Sequence, residues 1–140
     1  MDEPAISDKL IQELAEINTE CFLSDDKYSS VANLSYWMNT GELHAITLRR
    51  NRKIIAYILY REYKDHLESV RRGVAASARG AGVGTRISKK LTKLAREKGK
   101  DVYTYVSKTN LPSLNSNIKI GWRIYMIDAD WVYLHYKAGQ

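Results

Sequence analysis

Arg79-Gly80-Ala81-Gly82-Val83-Gly84-Thr85 is the stretch of this chain whose residue types and spacing best suit chemistry. Three glycines stand at every second position after an arginine. Glycine tolerates positive φ and carries no Cβ, so a ligand can lie directly on the backbone. The residues that follow read as a helix, whose first turn points unpaired N–H groups and a partial positive charge outward. That combination is an anion site, most often one for phosphate. Two familiar phosphate motifs do not fit it. A dinucleotide fingerprint, G-x-G-x-x-G, would end on Thr85 counted from Gly80 and on Ile87 counted from Gly82. A P-loop needs Gly-Lys followed by Ser or Thr, which is missing around this loop.

The elements that position the loop follow from hydrophobic periodicity. Leu10, Leu14, Ile17 and Cys21 form one face of an amphipathic helix, widened by Ile11 and Phe22, with Ser7 as N-cap. Ser24-Asp25-Asp26-Lys27 interrupts it. Val31, Leu34, Trp37 and Met38 mark a shorter helix that Gly41 ends. The period then becomes that of strands. His44 to Arg50 and Ile54 to Glu62 form a hairpin across Asn51-Arg52-Lys53, and Leu67 to Ala75 follows as a third antiparallel strand. Beyond the loop, Val83, Ile87, Leu91, Leu94 and Ala95 give a helical stripe that stops at Gly99. Asp101 to Ser107 is a strand, parallel to the third because a helical crossover joins them. Asn110-Leu111-Pro112 opens a short helix, and Trp122 to Ile127 with Trp131 to Tyr136 make a last hairpin. The order ααβββαβαββ describes one α/β domain over residues 1–140.

Charge is unevenly distributed. The chain of 140 residues carries a net +6. Residues 1–43 hold two bases against nine acids, whereas residues 67–100 hold ten bases against Glu68 and Glu97. The positive field surrounds the glycine loop and would steer an anion to it. A nucleic-acid partner fits such a field, but no nucleic-acid-binding motif accompanies it. No apolar run reaches the roughly 18 residues a membrane helix needs, and the acidic Met1-Asp2-Glu3-Pro4 lacks a signal-peptide pattern. With Cys21 as the single cysteine, no internal disulfide forms and a cytoplasmic location is expected. No metal-ligand spacing appears.

The sequence resembles the GNAT superfamily of acetyl-CoA-dependent N-acetyltransferases. Arg79-Gly80-Ala81-Gly82-Val83-Gly84 matches its Q/R-x-x-G-x-G/A signature, and Gly73-Val74 matches the small residue and Val that end the strand before it. Asn110 and Lys119-Ile120-Gly121-Trp122 resemble the family's N-…-K-x-G-F segment. The resemblance covers residues 44–136; the family's first strand is missing or very short here. It implies a mixed, mostly antiparallel sheet of about six strands, flanked by helices, with a central parallel pair at the cofactor cleft. It implies acetyl-CoA as donor and a primary amine, on a small molecule or a protein, as acceptor. The backbone of Gly80, Ala81, Gly82, Val83, Gly84 and Thr85, preceded by Arg79, would hold the pyrophosphate. The backbone of Arg72, Gly73 and Val74 would pair with the pantetheine arm, and Asn110 would contact the cofactor. Asn110 also has an independent reason to be Asn, as N-cap of the following helix. Many relatives pair as homodimers.

Acyl transfer to an amine needs a neutral amine, a stabilised oxyanion and a thiolate that can leave. A lysine-like amine costs roughly 4–5 kcal/mol to deprotonate at about pH 7, an α-amine only about 1 kcal/mol. Glu68, on the strand leading to the loop, is the first candidate for the base; Glu62, His66 and His135 are weaker ones. The Val74 N–H is the candidate oxyanion donor. Many members carry the acidic Tyr four residues before the glycine of K-x-G-F, and here that position is Asn117. Asn117 can hydrogen-bond a sulfur but supplies no proton. Tyr125, Tyr103, Tyr105 or Tyr133, or solvent, would have to replace it. Two rival readings follow: a coenzyme A-binding regulatory module without activity, and an acetyltransferase directed at tRNA or DNA. Cys21 lies too far away in sequence to suggest a covalent intermediate.

Overall fold

The computed structural model describes residues 4–22 and 27–139; Ser24, Asp25 and Asp26 of the expected interruption lie outside them. Helices α1 (Asp8–Phe22) and α2 (Val31–Asn39) precede strands β1 (His44–Arg50), β2 (Lys53–Glu62) and β3 (His66–Val74). A 3-10 turn (Ala76–Ala78) leads to α3 (Val83–Lys98), then β4 (Asp101–Ser107), α4 (Leu111–Lys119), β5 (Arg123–Ile127) and β6 (Trp131–Tyr136). The β1–β2 turn is tighter than the three residues expected. Asn51 and Arg52 alone make it, at φ 52° and 66°, and Lys53 already belongs to β2. Two consecutive residues at positive φ match the right-handed twist of the hairpin.

Among the described residues six strands run in the order β1-β2-β3-β4-β6-β5, and β3–β4 is the one parallel pair. This is the mixed sheet that the resemblance implies. Helices α1 and α2 cover one face over β1–β3, packing Leu14, Leu34 and Met38 against Tyr57 and Leu59. Helix α3 covers the other, packing Val83, Ile87, Leu91 and Leu94 against Ile46, Ile58 and Val102. Strand β2, buried on both faces from Ile54 to Tyr60, therefore lacks the alternation of a half-exposed strand.

Two features of β3 decide the geometry of the site. The first is a register shift opposite Leu59/Tyr60: Leu59 pairs with Arg71 and Tyr60 with Ser69, which leaves Val70 as an extra residue. Leu67 and Val74, seven positions apart, consequently lie in one core cluster. Unbroken alternation would put them on opposite faces, because seven is odd. The second is that β3 and β4 pair from His66↔Asp101 only as far as Ser69↔Thr104. Beyond that point β3 stays with β2 to Val74, and β4 stays with β6 to Ser107. A wedge opens between them, directly below the glycine loop.

Candidate active site

The loop above the wedge needs its glycines. Gly80 and Gly82 have φ of 83° and 74°, and Gly82 is the N-cap of α3 in the left-handed region. L-residues reach that region at a cost of roughly 1–2 kcal/mol. No side chain caps α3 and no acid lies in its first turn, so its leading N–H groups are left for a ligand. A Cβ built on Gly80 or Gly82 meets no atom within 4 Å; the space above the loop is open. Gly73 is a glycine for another reason: a Cβ there would run into the Tyr57 ring. The entry to the loop is tied down by Glu20, whose Oε2 accepts from the Ala76 N–H at 2.8 Å.

Backbone alternation orients Val74. The Ala75 N–H donates to the Ile55 carbonyl on β2 at 2.8 Å, so the N–H and carbonyl of Val74 face the opposite way, into the wedge. Its carbonyl accepts from Arg79 Nε at 3.1 Å and from Cys21 Sγ at 3.3 Å. Cys21, remote in sequence, is thus beside the site in space. Burial, opposed by the nearby Arg79, pushes its thiol above the ordinary value, so it is protonated at neutral pH and a poor nucleophile.

The wedge continues into a cavity of about 500 Å³, lined by Arg72, Ser88, Tyr105, Asn110, Asn117 and Trp122 among others, with no Asp or Glu among the described residues that line it. Consecutive on the strand, Arg71 and Arg72 point to opposite faces, and the bulge at Val70 sets which face each one takes. Arg71 packs its guanidinium 4.0 Å from the Phe22 ring and 4.9 Å from Tyr28. Arg72 reaches the other way, to α3 and α4: its Nη1 lies 3.1 Å from the Gly84 carbonyl, 2.9 Å from Ser88 Oγ and 2.8 Å from Ser116 Oγ. Burial lowers its pKa to about 10. Asn110 caps α4, its Oδ1 accepting from the Ser113 N–H at 3.4 Å, and it borders the cavity as well. Asn117 and Trp122 are 5% and 3% exposed, yet Asn117 Oδ1 and Trp122 Nε1 have no partner. Unpaired among the described residues, a buried acceptor and a buried donor cost free energy, and both border the cavity. An amide-bearing arm such as pantetheine offers both complementary groups.

Of the candidate catalytic residues, Glu68 lies in register with Arg61 on β2 and Tyr103 on β4. It alternates with buried Leu67 and Ser69 and so occupies the face away from α3. Tyr105 does line the cavity. Its phenol is raised above the ordinary value by burial first, then by the charges of Tyr28 and Glu68. It is therefore a protonated donor near Glu68. Tyr125 is not brought there. It is 55% exposed on edge strand β5, with its ring 6.0 Å from Tyr103 and 6.4 Å from Tyr133. His135 Nε2 lies 3.2 Å from Asp101 Oδ2, and His66 Nδ1 lies 2.7 Å from Asp65 Oδ1, each away from the cavity lining. Glu62 is held by Lys98 and Lys100 at 3.0 and 2.7 Å. Arg72 and Trp122, as side chains, were not foreseen. The signal for Arg72 was a charged residue two positions before Val74, where a core strand ordinarily carries an apolar one. A second groove, of about 810 Å³, runs along α3 between Lys89, Lys93, Arg96 and Lys119.

The sequence model of the acetyltransferase (GNAT) family matches residues 11–116. No curated protein sequence matches. Among solved structures, PaiA N-acetyltransferase from Thermoplasma acidophilum, in complex with coenzyme A, is similar at 14% identity, 96% coverage of both chains and a TM-score of 0.80. The ribosomal-protein-S18-alanine N-acetyltransferase of Escherichia coli is similar at 13% identity, covering 95% of this chain and 90% of its own, with a TM-score of 0.81. Aminoglycoside 6'-acetyltransferase type Ii is similar at 16% identity, 99% and 97% coverage and a TM-score of 0.80.

Proposed function

This chain belongs to the acetyltransferase (GNAT) family, and on that premise we propose that it transfers an acetyl group from acetyl-CoA directly to a primary amine. The observation that carries the reading is the wedge between β3 and β4 opening under an uncapped, acid-free helix start. The loop N–H groups from Gly80 to Thr85, with Arg79 beside them, would hold the pyrophosphate. The outward-turned backbone of Arg72 to Val74 would pair with the pantetheine arm, while Asn110, Asn117 and Trp122 would satisfy its polar groups. Bound there, acetyl-CoA supplies an activated acyl carbon.

The chain's own residues divide the remaining work. Glu68 removes the ammonium proton, directly or through one water. The Val74 N–H stabilises the oxyanion, a contribution of roughly 3–4 kcal/mol where such donors have been removed. Tyr105, unlike Tyr125, borders the cavity, on its acceptor side. Cys21 stays a thiol, which favours direct transfer over an acyl-cysteine. The acceptor enters from the face lined by Phe22, Arg71, Tyr105 and Trp131. That wall sets three aromatic rings beside the Arg71 guanidinium. The relatives in the comparison differ here too: one is named for an aminoglycoside, another for a ribosomal-protein alanine.

A thiol-release assay over a panel of small-molecule and peptide amines tests the activity. Turnover with at least one amine supports it; tight acetyl-CoA binding with no turnover on any supports the inactive coenzyme A-binding module instead. For the base, Glu68→Gln is expected to lower kcat by about 10²-fold and to remove the acidic limb of the pH–rate profile. An unaltered profile would take the role from Glu68.

A further inference from the structure

The family's usual proton donor to the leaving thiolate is absent, because its position is Asn117. What stands beside that position is a positive charge. Arg72 Nη1 donates to Ser116 Oγ, the neighbour of Asn117, at 2.8 Å. We propose that Arg72 is the catalytic group for the leaving sulfur, binding the coenzyme A thiolate as an ion pair instead of protonating it.

Three observations support this role. First, Arg72 has no carboxylate partner among the described residues. Its bonds go to one carbonyl and two hydroxyls, all from Nη1, and among the described residues no Asp or Glu lines the cavity it borders. Two Nη1 hydrogens serve three acceptors, while the guanidinium carries five N–H donors in all. Second, a part-buried cation without a counter-ion is costly unless an anion arrives. The helix start beside it adds partial positive charge rather than relieving it. The depressed pKa of Arg72 is consistent with that cost, yet about 10 still leaves it charged at neutral pH. Third, the tether is rigid. The Ser116 hydroxyl donates to the Ser113 carbonyl at 3.0 Å, so its oxygen is fixed as the acceptor for Arg72. The guanidinium lies close against the helix start, where a Cβ on Gly84 would meet it at 3.5 Å, an ordinary contact.

The step balances without a proton donor. The amine nitrogen forms its bond to the acyl carbon and the C–S bond breaks. The electron pair stays on sulfur as a thiolate, and the amine's proton leaves through the base. The thiolate takes a proton from water when it departs. A guanidinium is well suited because it does not itself deprotonate in the process. Tyr105 lies on the acceptor face and serves the amine side.

This inference rests on the coenzyme A reading, and its test separates the two. Coenzyme A, without acetyl group or acceptor, is bound to the protein, and its thiolate absorbance is titrated against pH. Thiols ordinarily ionise near pH 8.5, and one opposite charge at contact lowers a pKa by about 1–3 units. The bound thiol is therefore expected about one unit or more below that of free coenzyme A. Arg72→Met should return it to the free value or above, with Arg72→Lys in between. An unshifted thiol in the wild-type complex overturns the proposal while leaving the cofactor site standing, as does an Arg72→Met complex that keeps the full shift. Failure of the wild-type protein to bind coenzyme A overturns both. The wild-type titration decides even if Arg72→Met does not fold.

Discussion

Gly73 and Cys21 both touch the site, and the structure gives each a role different from the one its type suggests. Gly73 precedes the loop, but packing dictates it: any Cβ meets Tyr57, which is fully buried and donates to Asn18 Oδ1 at 2.6 Å. Gly73→Ala should therefore destabilise the fold by about 1–3 kcal/mol. Urea unfolding measures it, and an unchanged midpoint would mean the ring yields freely. Cys21 is the converse case, a reactive type in an unreactive setting. Cys21→Ala should retain activity within about twofold, at a stability cost of about 1 kcal/mol for its lost contacts. Loss of turnover, together with an acetylated cysteine in the wild type by mass spectrometry, would replace direct transfer with a covalent route.

Strands β4 and β6 can be read to the residue from sequence, because Val102, Tyr103, Tyr105 and Val106, and likewise Val132 and Leu134, alternate between buried and less buried positions. Strand β3 cannot. Its extra residue, Val70, is an ordinary strand former, and the neighbouring Glu68, Arg71 and Arg72 blur the alternation that would betray a register shift. The glycine loop was legible because positive φ demands a residue type. The side-chain roles of Arg71 and Arg72 were not, since they depend on the face to which the bulge sends each one. Elements are also joined by charge. Glu62 on β2 lies against Lys98 at the end of α3 and Lys100 before β4. Burial alone would raise its carboxyl, but the Lys100 and Lys98 ammonium groups outweigh it and hold the carboxyl below the usual glutamate range. A lowered folded-state pKa means stability that is present above the unfolded value and lost as pH falls through the folded one. Glu62→Gln should accordingly lose less stability than the wild type between about pH 7 and about pH 3, by about 1 kcal/mol or less for so open a cluster. Equal losses would show that the cluster contributes nothing.

Across the whole molecule, the two charge-segregated segments have separate uses. Acids of the N-terminal helix fasten it to the rest: Glu13 meets Arg49 through two bonds of 2.9 Å, and Glu20 holds the Ala76 N–H. The basic segment supplies the loop arginine, the guanidinium in the cavity and the cationic groove along α3. Each of these would face a polyanionic cofactor, so cofactor binding at the loop is the claim on which the rest depends. The direct measurement is acetyl-CoA titration, by calorimetry or by the fluorescence of Trp122 and Trp131, of the wild type and Gly82→Asp, with circular dichroism on both. Asp puts a carboxylate where the pyrophosphate belongs, while costing only about 1 kcal/mol of backbone strain. The account predicts saturable binding to the wild type, at least about tenfold weaker binding to Gly82→Asp, and an unchanged fold. Equal affinity in the two proteins would contradict it.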